Sequence, residues 1–373
     1  MARLEDVCSI NMGQSPESSS YNETGEGIPF FQGNADFGEL HPTVRVWCNA
    51  PTKIAKQGDI LISVRAPIGA LNIANVKCCI GRGLAALSVN ERLCYQKYLW
   101  YALECKVDEL NSKGTGSTFK AINKKTLAET EISLPLLDEQ RRIAAVLDKV
   151  SDLIAKRRAQ LDKLDLLVKA RFVEMFEHVS DQVLLSDVAE VTGGLTKNSK
   201  RKDFPIKLPY LRVANVFFDT IDTNEILEIG LTEEEKRKTL LQNGDLLFVE
   251  GNGNPEQIGR VAVWQDEIVP CVHQNHLIKA RFNLAKMLPT YAMNYFMTQK
   301  GREQIREKAV STSGLYTLSV SKIESLHIPF APMDRQLQFT DFKEKVDKSK
   351  LTIRQSLNKL ETLKKALMQQ YFG

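Results

Sequence analysis

The chain repeats itself once, and this internal duplication restricts its possible folds more than any other feature. Residues 140–176 align with residues 336–372 without a gap, and eleven of the 37 aligned pairs are identical. Towards the start of each copy the offset shrinks in steps from 196 to 181 residues. Because the matches stay in order, we infer one ancestral module whose second copy has collected insertions in its loops. The period is far longer than that of a solenoid repeat, so it predicts two domains.

Composition is that of an ordinary globular protein. Hydrophobic residues make up 43% and charged residues 26% of the 373 residues. The sequence has no apolar run as long as a membrane span, and its charged start does not resemble a signal peptide. Seven cysteines are scattered without a C-x-x-C pair, so we expect reduced thiols in a cytoplasmic protein. The net charge of +4 permits a nucleic-acid partner without requiring one.

The first part of each module is predicted to be a mixed α/β (α+β) domain. Strands are predicted after the Gly-Asp turns at 58–59 and 244–245, and again over 84–89 and 277–282. The domain division that follows is an N-terminal domain 1–137, a helix 138–179, a C-terminal domain 180–333 and a helix 334–373.

Helical spacing of apolar residues predicts shorter helices over 95–112 and 287–307, and one long helix at the end of each module. Apolar residues in the long helices step 4-3-4-3, which is typical of a coiled coil. We expect an antiparallel pair of helices about 55 Å long; packing of each helix on its own module is the alternative. The residues assigned to the seam are Ile143, Leu147, Val150, Ile154, Leu161, Leu164, Val346, Ile353, Leu357 and Leu360.

The sequence contains no recognisable catalytic constellation. Two glycine-rich stretches, 114–119 and 251–255, lack the third glycine of a dinucleotide-binding loop, and no Gly-Lys pair provides a P-loop. His273 and His276 have the spacing of a metal pair but no matching acidic or cysteine partner. We therefore predict a chain without catalytic residues, bound metal or cofactor.

Basic residues cluster at the start of the second module. Such a run is typical of a solvated loop, but contact with a DNA backbone is an alternative. The candidate contacts are Lys197, Lys200, Arg201, Lys202 and Arg212. In the first module, small hydroxyls and glycine amides between two lysines suit a phosphate, although an ordinary loop has the same composition. The candidates there are Lys113, Thr115, Ser117 and Lys120.

One aligned segment carries different polar residues in the two copies. Gly81-Arg82-Gly83 faces Gln274, Asn275 and His276 inside a block that otherwise matches. Arginine favours guanine, whereas asparagine and glutamine favour adenine. Two domains with different DNA targets would show this difference, and so would neutral drift in a loop. The remaining candidate contacts are Gln32, Asn34, Arg65 and, within the insertion 250–255, Asn252.

Over essentially its whole length the chain resembles the specificity (S) subunit of type I restriction–modification systems. The order and duplication of several short motifs carry this resemblance. They are Ile28-Pro29-Phe30-Phe31 and Leu208-Pro209-Tyr210-Leu211, the Gly-Asp turns, Ile68-Gly69 and Ile258-Gly259, and Pro135 to Gln140 with Pro329 to Gln336. The second copy departs from the pattern at Arg335, where the first copy has Glu139.

The resemblance implies two target-recognition domains, each recognising one half of a bipartite double-stranded DNA site. It also implies that the helices set the spacer and dock two methyltransferase (M) subunits, which restriction (R) subunits join in the full complex. S-adenosylmethionine and ATP are then expected only on those partner subunits. Two rival interpretations remain: a coiled-coil scaffold that does not bind DNA, and the recognition part of a fused methyltransferase or nuclease.

Overall fold

The computed structural model describes residues 1–116, 120–312 and 314–373. The chain divides into two compact units, which are Met1–Arg158 with Arg354–Gly373 (unit 1) and Ala159–Ile353 (unit 2). Each unit combines one module with part of both long helices, so the boundary passes through the helices. The division into four segments proposed from the sequence stays a prediction.

Two sheets form the body of unit 1. The first is antiparallel with the order β2-β10-β7-β8, and the second has the order β3-β5-β4-β9-β6 with β4 and β9 parallel. The strands are β1 (Ala2–Arg3), β2 (Cys8–Met12), β3 (Tyr21–Asn22), β4 (Ile28–Phe31), β5 (Val46–Cys48), β6 (Ile54–Ala55), β7 (Ile60–Ser63), β8 (Leu71–Ile73), β9 (Cys78–Ile80), β10 (Leu84–Val89) and β11 (Glu131–Ile132). The helices are α1 (Leu4–Val7), α2 (Gln96–Cys105), α3 (Val107–Ser112), α4 (Lys124–Ala128) and the beginning of α5 (Leu137–Phe176).

Unit 2 repeats this arrangement. Its antiparallel sheet β13-β22-β18-β20 corresponds to the first sheet of unit 1, and β14 and β21 are parallel as β4 and β9 are. The strands are β12 (Gln182–Leu184), β13 (Ala189–Gly193), β14 (Ile206–Leu211), β15 (Val216–Phe217), β16 (Thr220–Ile221), β17 (Leu227–Leu231), β18 (Leu246–Val249), β19 (Gly251–Asn252), β20 (Val261–Val263), β21 (Val272–His273), β22 (Leu277–Phe282), β23 (Val310–Thr312), β24 (Leu315–Thr317) and β25 (His327–Pro329). The helices are α6 (Leu185–Val188), α7 (Glu233–Thr239), α8 (Pro289–Met297), α9 (Gln299–Lys308), α10 (Val320–Glu324) and α11 (Met333–Phe372).

The Gly-Asp turns before β7 and β18 have the same geometry. Gly58 and Gly244 have φ angles of 92° and 89°, a conformation that residues with a β-carbon rarely adopt. The Asp59 carboxylate accepts a hydrogen bond from the Lys56 amide, and Asp245 repeats this with Gln242, both at 2.8 Å. The mixed α/β class, the duplication, and the strands at 84–89 and 277–282 are therefore confirmed.

The two shorter helices were predicted with the wrong continuity, because each divides in two. In unit 2, α8 ends before Thr298, whose hydroxyl accepts from the Gly301 amide and caps α9. Gly301 allows the sharp change of direction, since a β-carbon there would lie 2.3 Å from the Tyr295 carbonyl. In unit 1 the break lies at Lys106, between α2 and α3.

The long helices α5 and α11 contain 40 residues each, which corresponds to about 60 Å. In unit 1 the end of α11, including Leu367 and Phe372, packs against the beginning of α5 at Ile143 and Leu147. In unit 2 the end of α5 packs against the beginning of α11, as the edge-on contact between Phe172 and Phe339 shows. The helices therefore pack antiparallel, as predicted. None of the described helices is long and apolar enough to cross a membrane.

Seam residues are buried or half-buried along both helices, and the helix ends also join the module cores. Those at the start of α5 (Ile143, Leu147, Val150, Ile154) and Val346 are buried, whereas Leu161, Leu164, Ile353, Leu357 and Leu360 are half-buried. The same 4-3 steps place Lys343 and Lys350 on the seam of α11, where a search for apolar residues passes over them. The Nζ of Lys350 lies 2.7 Å from Oδ1 of Asp165, and the Nζ of Lys343 lies 3.0 Å from Oδ1 of Asp219.

Candidate nucleic-acid interface

In unit 1, backbone hydrogen bonds bring three separated candidate segments to one edge. The Val64 amide donates to the Gly83 carbonyl (2.9 Å), and the Ile122 amide donates to the Val64 carbonyl (2.9 Å). The Ala66 amide also donates to the Lys120 carbonyl at 3.0 Å. The candidates Arg65, Arg82 and Lys120 therefore lie on neighbouring strands or turns, although up to 55 residues separate them in sequence.

Gln32 and Asn34 belong to the same edge. The Gly83 amide donates to the Gln32 carbonyl at 3.1 Å, and a β-carbon on Gly83 would lie 2.5 Å from that oxygen. The close approach therefore requires glycine beside Arg82. The Gln32 amide donates to the Asp36 carboxylate (2.8 Å), which closes the short 3-10 turn Asn34–Asp36.

Unit 2 builds the equivalent edge with the same backbone hydrogen bonds. The Glu250 amide donates to the His276 carbonyl (2.9 Å), and the Leu318 amide donates to the Glu250 carbonyl (2.8 Å). The Gln274 amide donates to the Leu211 carbonyl at 3.0 Å, which places the 274–276 segment beside Arg212. Residues 274–276 thus occupy the positions of 81–83, and Arg212 that of Gln32.

A β-hairpin completes this edge in unit 2, and the sequence provided only part of the signal for it. Strands β23 and β24 form the hairpin, and β24 pairs with β19 so that Asn252 faces Tyr316. In unit 1 the matching pairs are Thr115 with Ala121 and Arg65 with Ala121. Ala121 aligns with Thr317 at the offset of 196. The candidates beside Ala121 in unit 1 could therefore have pointed to the hairpin of unit 2. Ser117 lies outside the described residues.

Some of the candidate side chains already make an ion pair or hydrogen bond with another side chain or backbone group, and others do not. Lys113 pairs with Glu109 (2.5 Å), Arg212 with Glu225 (3.2 Å) and His276 with Glu250 (2.7 Å). The side-chain Oδ1 of Asn252 accepts a hydrogen bond from the Asn254 backbone amide at 2.9 Å. The other candidates make no side-chain hydrogen bond or ion pair with any described residue. These candidates without a side-chain partner are Gln32, Asn34, Arg65, Arg82, Lys120, Lys197, Lys200, Lys202, Gln274 and Asn275.

Arg201 differs from the other residues of the basic run. Its side chain is 8% exposed, and its guanidinium makes a two-point ion pair with Glu235 at 2.9 and 3.1 Å. It also donates to the carbonyls of Thr196 and Gly230. The Arg201 guanidinium holds the pKa of the Glu235 carboxyl below its usual value. Because this guanidinium is buried and already makes four hydrogen bonds, the structure does not present it to a phosphate as it presents the exposed Lys200 and Lys202. The assignment of Arg201 as a DNA contact stays a prediction.

The comparisons agree with this duplicated geometry. The model of the type I restriction modification DNA specificity domain matches residues 1–164 and again residues 180–362. The chain belongs to this family. Each match covers one module and most of its long helix, so the duplication found in the sequence is a duplication of the specificity domain.

Relatives of this specificity-domain chain cover it to different extents. It is 45% identical over 161 residues to the putative type I restriction enzyme MjaX specificity subunit of Methanocaldococcus jannaschii, covering 43% of this chain and 38% of that protein. It is 25% identical over 331 residues to the MjaIX specificity subunit of the same organism, covering 83% and 67%. The chain thus spans well under half of the first relative's length. The crystal structure of the type I S subunit from M. genitalium has the same fold, with a TM-score of 0.59 and 14% identity over 100% of this chain and 95% of that one.

The two histidines of the pair in this specificity-domain chain lie in different surroundings. His273 is completely buried, and its Nδ1 donates to the Leu277 carbonyl at 3.0 Å. His276 is exposed and contacts Glu250 instead. Within the described ranges, no group of three His, Cys, Asp or Glu side chains is arranged to hold a metal ion.

A buried arginine donates hydrogen bonds to the backbone just after the insertion in the second specificity domain. Arg302 on α9 donates to the carbonyls of Gly259 (3.0 Å) and Ile258 (2.6 Å), and its guanidinium lies over the ring of Phe218. Burial lowers the pKa of Arg302 to about 10. These hydrogen bonds fix the turn that directly follows the insertion 250–255. A charged residue inside a helical run carries no sequence signal for this role.

Proposed function

We propose that this chain is the DNA-recognition subunit of a type I restriction–modification complex, in which each module recognises one half of a bipartite DNA site. The supporting observation is that both units build the same edge with equivalent backbone hydrogen bonds yet display different polar side chains on it. Arg82 occupies the position of Asn275, and Gln32 that of Arg212. A shared backbone scaffold that carries different hydrogen-bonding side chains suits two related domains that recognise different base sequences.

The free side chains at the edge provide the chemistry that base recognition needs. The Arg82 guanidinium offers paired donors that match the two acceptors of guanine, and the carboxamides of Gln274 and Asn275 match adenine. Lys197, Lys200 and Lys202 are exposed and contribute phosphate contacts in unit 2, while Lys120 does so in unit 1. In this proposal Arg65 belongs to the base-contacting group because it adjoins the loop of Arg82.

The antiparallel helices set the spacing between half-sites and bind the partner subunits. Large apolar side chains remain exposed on these helices although the seam residues are covered. In unit 2, Leu166 and Leu351 are 63% and 57% exposed, and in unit 1 Leu153 and Leu363 are 45% and 46% exposed. We assign these leucines to the docking of two methyltransferase subunits, with restriction subunits joining the full complex. The chain itself is non-catalytic in this proposal, and S-adenosylmethionine and ATP bind to the partners.

Selection from a library of randomised duplexes tests this proposal. The purified full chain, alone and with its methyltransferase, is incubated with the library, and the bound fraction is sequenced. We expect enrichment of two short motifs separated by a constant number of base pairs. Enrichment of a single motif would contradict the two-module reading. No enrichment in either condition would instead favour a coiled-coil scaffold that does not bind DNA.

A further inference from the structure

A buried glutamine joins the first module to its long helix. Gln140 is completely buried in the first turn of α5, and its Oε1 accepts a hydrogen bond from the Tyr95 amide at 2.8 Å. Its Nε2 donates to the carbonyls of Leu93 (3.1 Å) and Pro135 (2.8 Å). Leu93 and Tyr95 lead into α2, whereas Pro135 leads into α5. One carboxamide therefore holds two separate segments against the start of the helix.

The second module repeats this joint bond for bond. Gln336 is also completely buried, its Oε1 accepts from the Leu288 amide (2.8 Å), and its Nε2 donates to Ala331 (2.8 Å) and Lys286 (3.4 Å) carbonyls. Each of these partners is the aligned counterpart of a partner of Gln140, although the side chains differ in all three pairs. The network has been kept because its partners are backbone groups, which substitution does not alter.

A tyrosine that both copies carry at the same aligned position adds a hydrogen bond to each joint. The Tyr98 hydroxyl donates to the Ser133 carbonyl at 2.8 Å, and the Tyr291 hydroxyl donates to the Pro329 carbonyl at 2.9 Å. Their rings contact equivalent phenylalanines at the helix ends. Phe372 lies 5.1 Å from Tyr98 in unit 1, and Phe176 lies 4.8 Å from Tyr291 in unit 2. Each joint is thus closed by hydrogen bonds on one side and ring packing on the other.

We propose that Gln140 and Gln336 are positioning residues that make the protein selective for spacer length. This inference rests on the proposed function. The oxygen and the amide group of each carboxamide are both used, and a buried network that is fully satisfied specifies one geometry. Each module is then held at a constant angle to its helix. Adding one base pair to the spacer moves a half-site by about 3.4 Å and turns it by about 35°, which a rigid joint cannot follow.

Methionine substitution separates this role from a purely structural one. Gln140→Met and Gln336→Met keep the length and approximate volume of the side chain but remove its hydrogen bonds. The matched control is Gln338→Met, an exposed position on the same helix as Gln336. The full-length variants are titrated with duplexes that carry the selected half-sites and the optimal spacer, or a spacer one base pair longer or shorter. Thermal unfolding is measured in parallel.

We expect both joint variants to keep the half-site sequences of the wild type. Their preference for the optimal spacer should fall by about tenfold or more, and Gln338→Met should match the wild type. If a methionine variant does not fold, Tyr98→Phe and Tyr291→Phe remove one hydrogen bond each and should shift the preference in the same direction. An equal loss of affinity for every spacer would overturn this inference but would leave the proposed function standing. Failure of the wild type to select a bipartite site would overturn the proposed function as well.

Discussion

Acidification should destabilise unit 2 through one buried histidine. His273 ends β21 directly before Gln274, and it is completely buried. Since its Nδ1 donates to the Leu277 carbonyl, Nε2 is the nitrogen left without a proton, and among the described residues it has no hydrogen-bond partner. Burial, assisted by the nearby Lys279 cation, lowers the pKa of His273 from 6.5 to about 4. Protonation of Nε2 would create a buried cation without an acceptor.

The direction and size of the effect follow from linkage. Between pH 6.5 and about 4 the unfolded chain binds a proton at this position and the folded chain does not. The free energy of unfolding therefore falls as the pH drops through this window, and it is independent of this group above it. A difference of about 2.5 pKa units corresponds to about 3 kcal/mol when the pH is below both values. Half of this loss is expected near the middle of the window.

Urea unfolding of wild type and His273→Gln at a series of pH values measures this contribution. Tryptophan fluorescence is a suitable probe because Trp264 lies in the core of unit 2. The wild type should lose stability from pH 6.5 to 4 by about 3 kcal/mol more than the variant does. His178→Gln, which removes an exposed histidine, is the matched control. Parallel pH profiles for wild type and His273→Gln would refute the reasoning, because they would show that the ring is not kept neutral by burial.

Three further predictions concern DNA recognition. Arg82→Ala should relax the preference at one position of one half-site at a cost of about 1–3 kcal/mol; in the binding selection, a uniform loss over all sequences would identify a phosphate contact instead. Lys200→Glu with Lys202→Glu should weaken binding to all sequences and reduce its salt dependence, and an unchanged salt slope would return these residues to an ordinary solvated loop. Deleting one heptad from both long helices should change the selected spacer while leaving both half-sites as they are; altered half-sites would contradict a separate role for the helices.

Much of the architecture was predictable because it depends on local patterns. The strand at 84–89 and the Gly-Asp turns follow from residues within a few positions of each other. Arg201 shows what local patterns omit, since its partner Glu235 is 34 residues away and only the fold brings the two together. Counting charges placed this arginine in a basic patch, whereas its contacts place it in the interior. The division between α8 and α9 was missed because the spacing of apolar residues does not register the Thr298 cap or the sharp turn that Gly301 allows.

The helix pair shows how duplicated copies diverge while keeping their interaction. Asp165 on α5 and Glu361 on α11 are aligned positions, and each receives a cation from the other helix. In unit 2 that cation is Lys350, which is buried on the seam, and in unit 1 it is the exposed Arg158. The exposed pair contributes little stability. In the other pair only Lys350 is buried, and without Asp165 its remaining acidic partner would be Asp347, whose Oδ1 lies 3.6 Å from Nζ. The position of Lys350 corresponds to Ile154 in the first copy, so the two helices have equivalent acids but different seams. The pair is therefore specified as one α5 with one α11, and two copies of the same helix would not reproduce it.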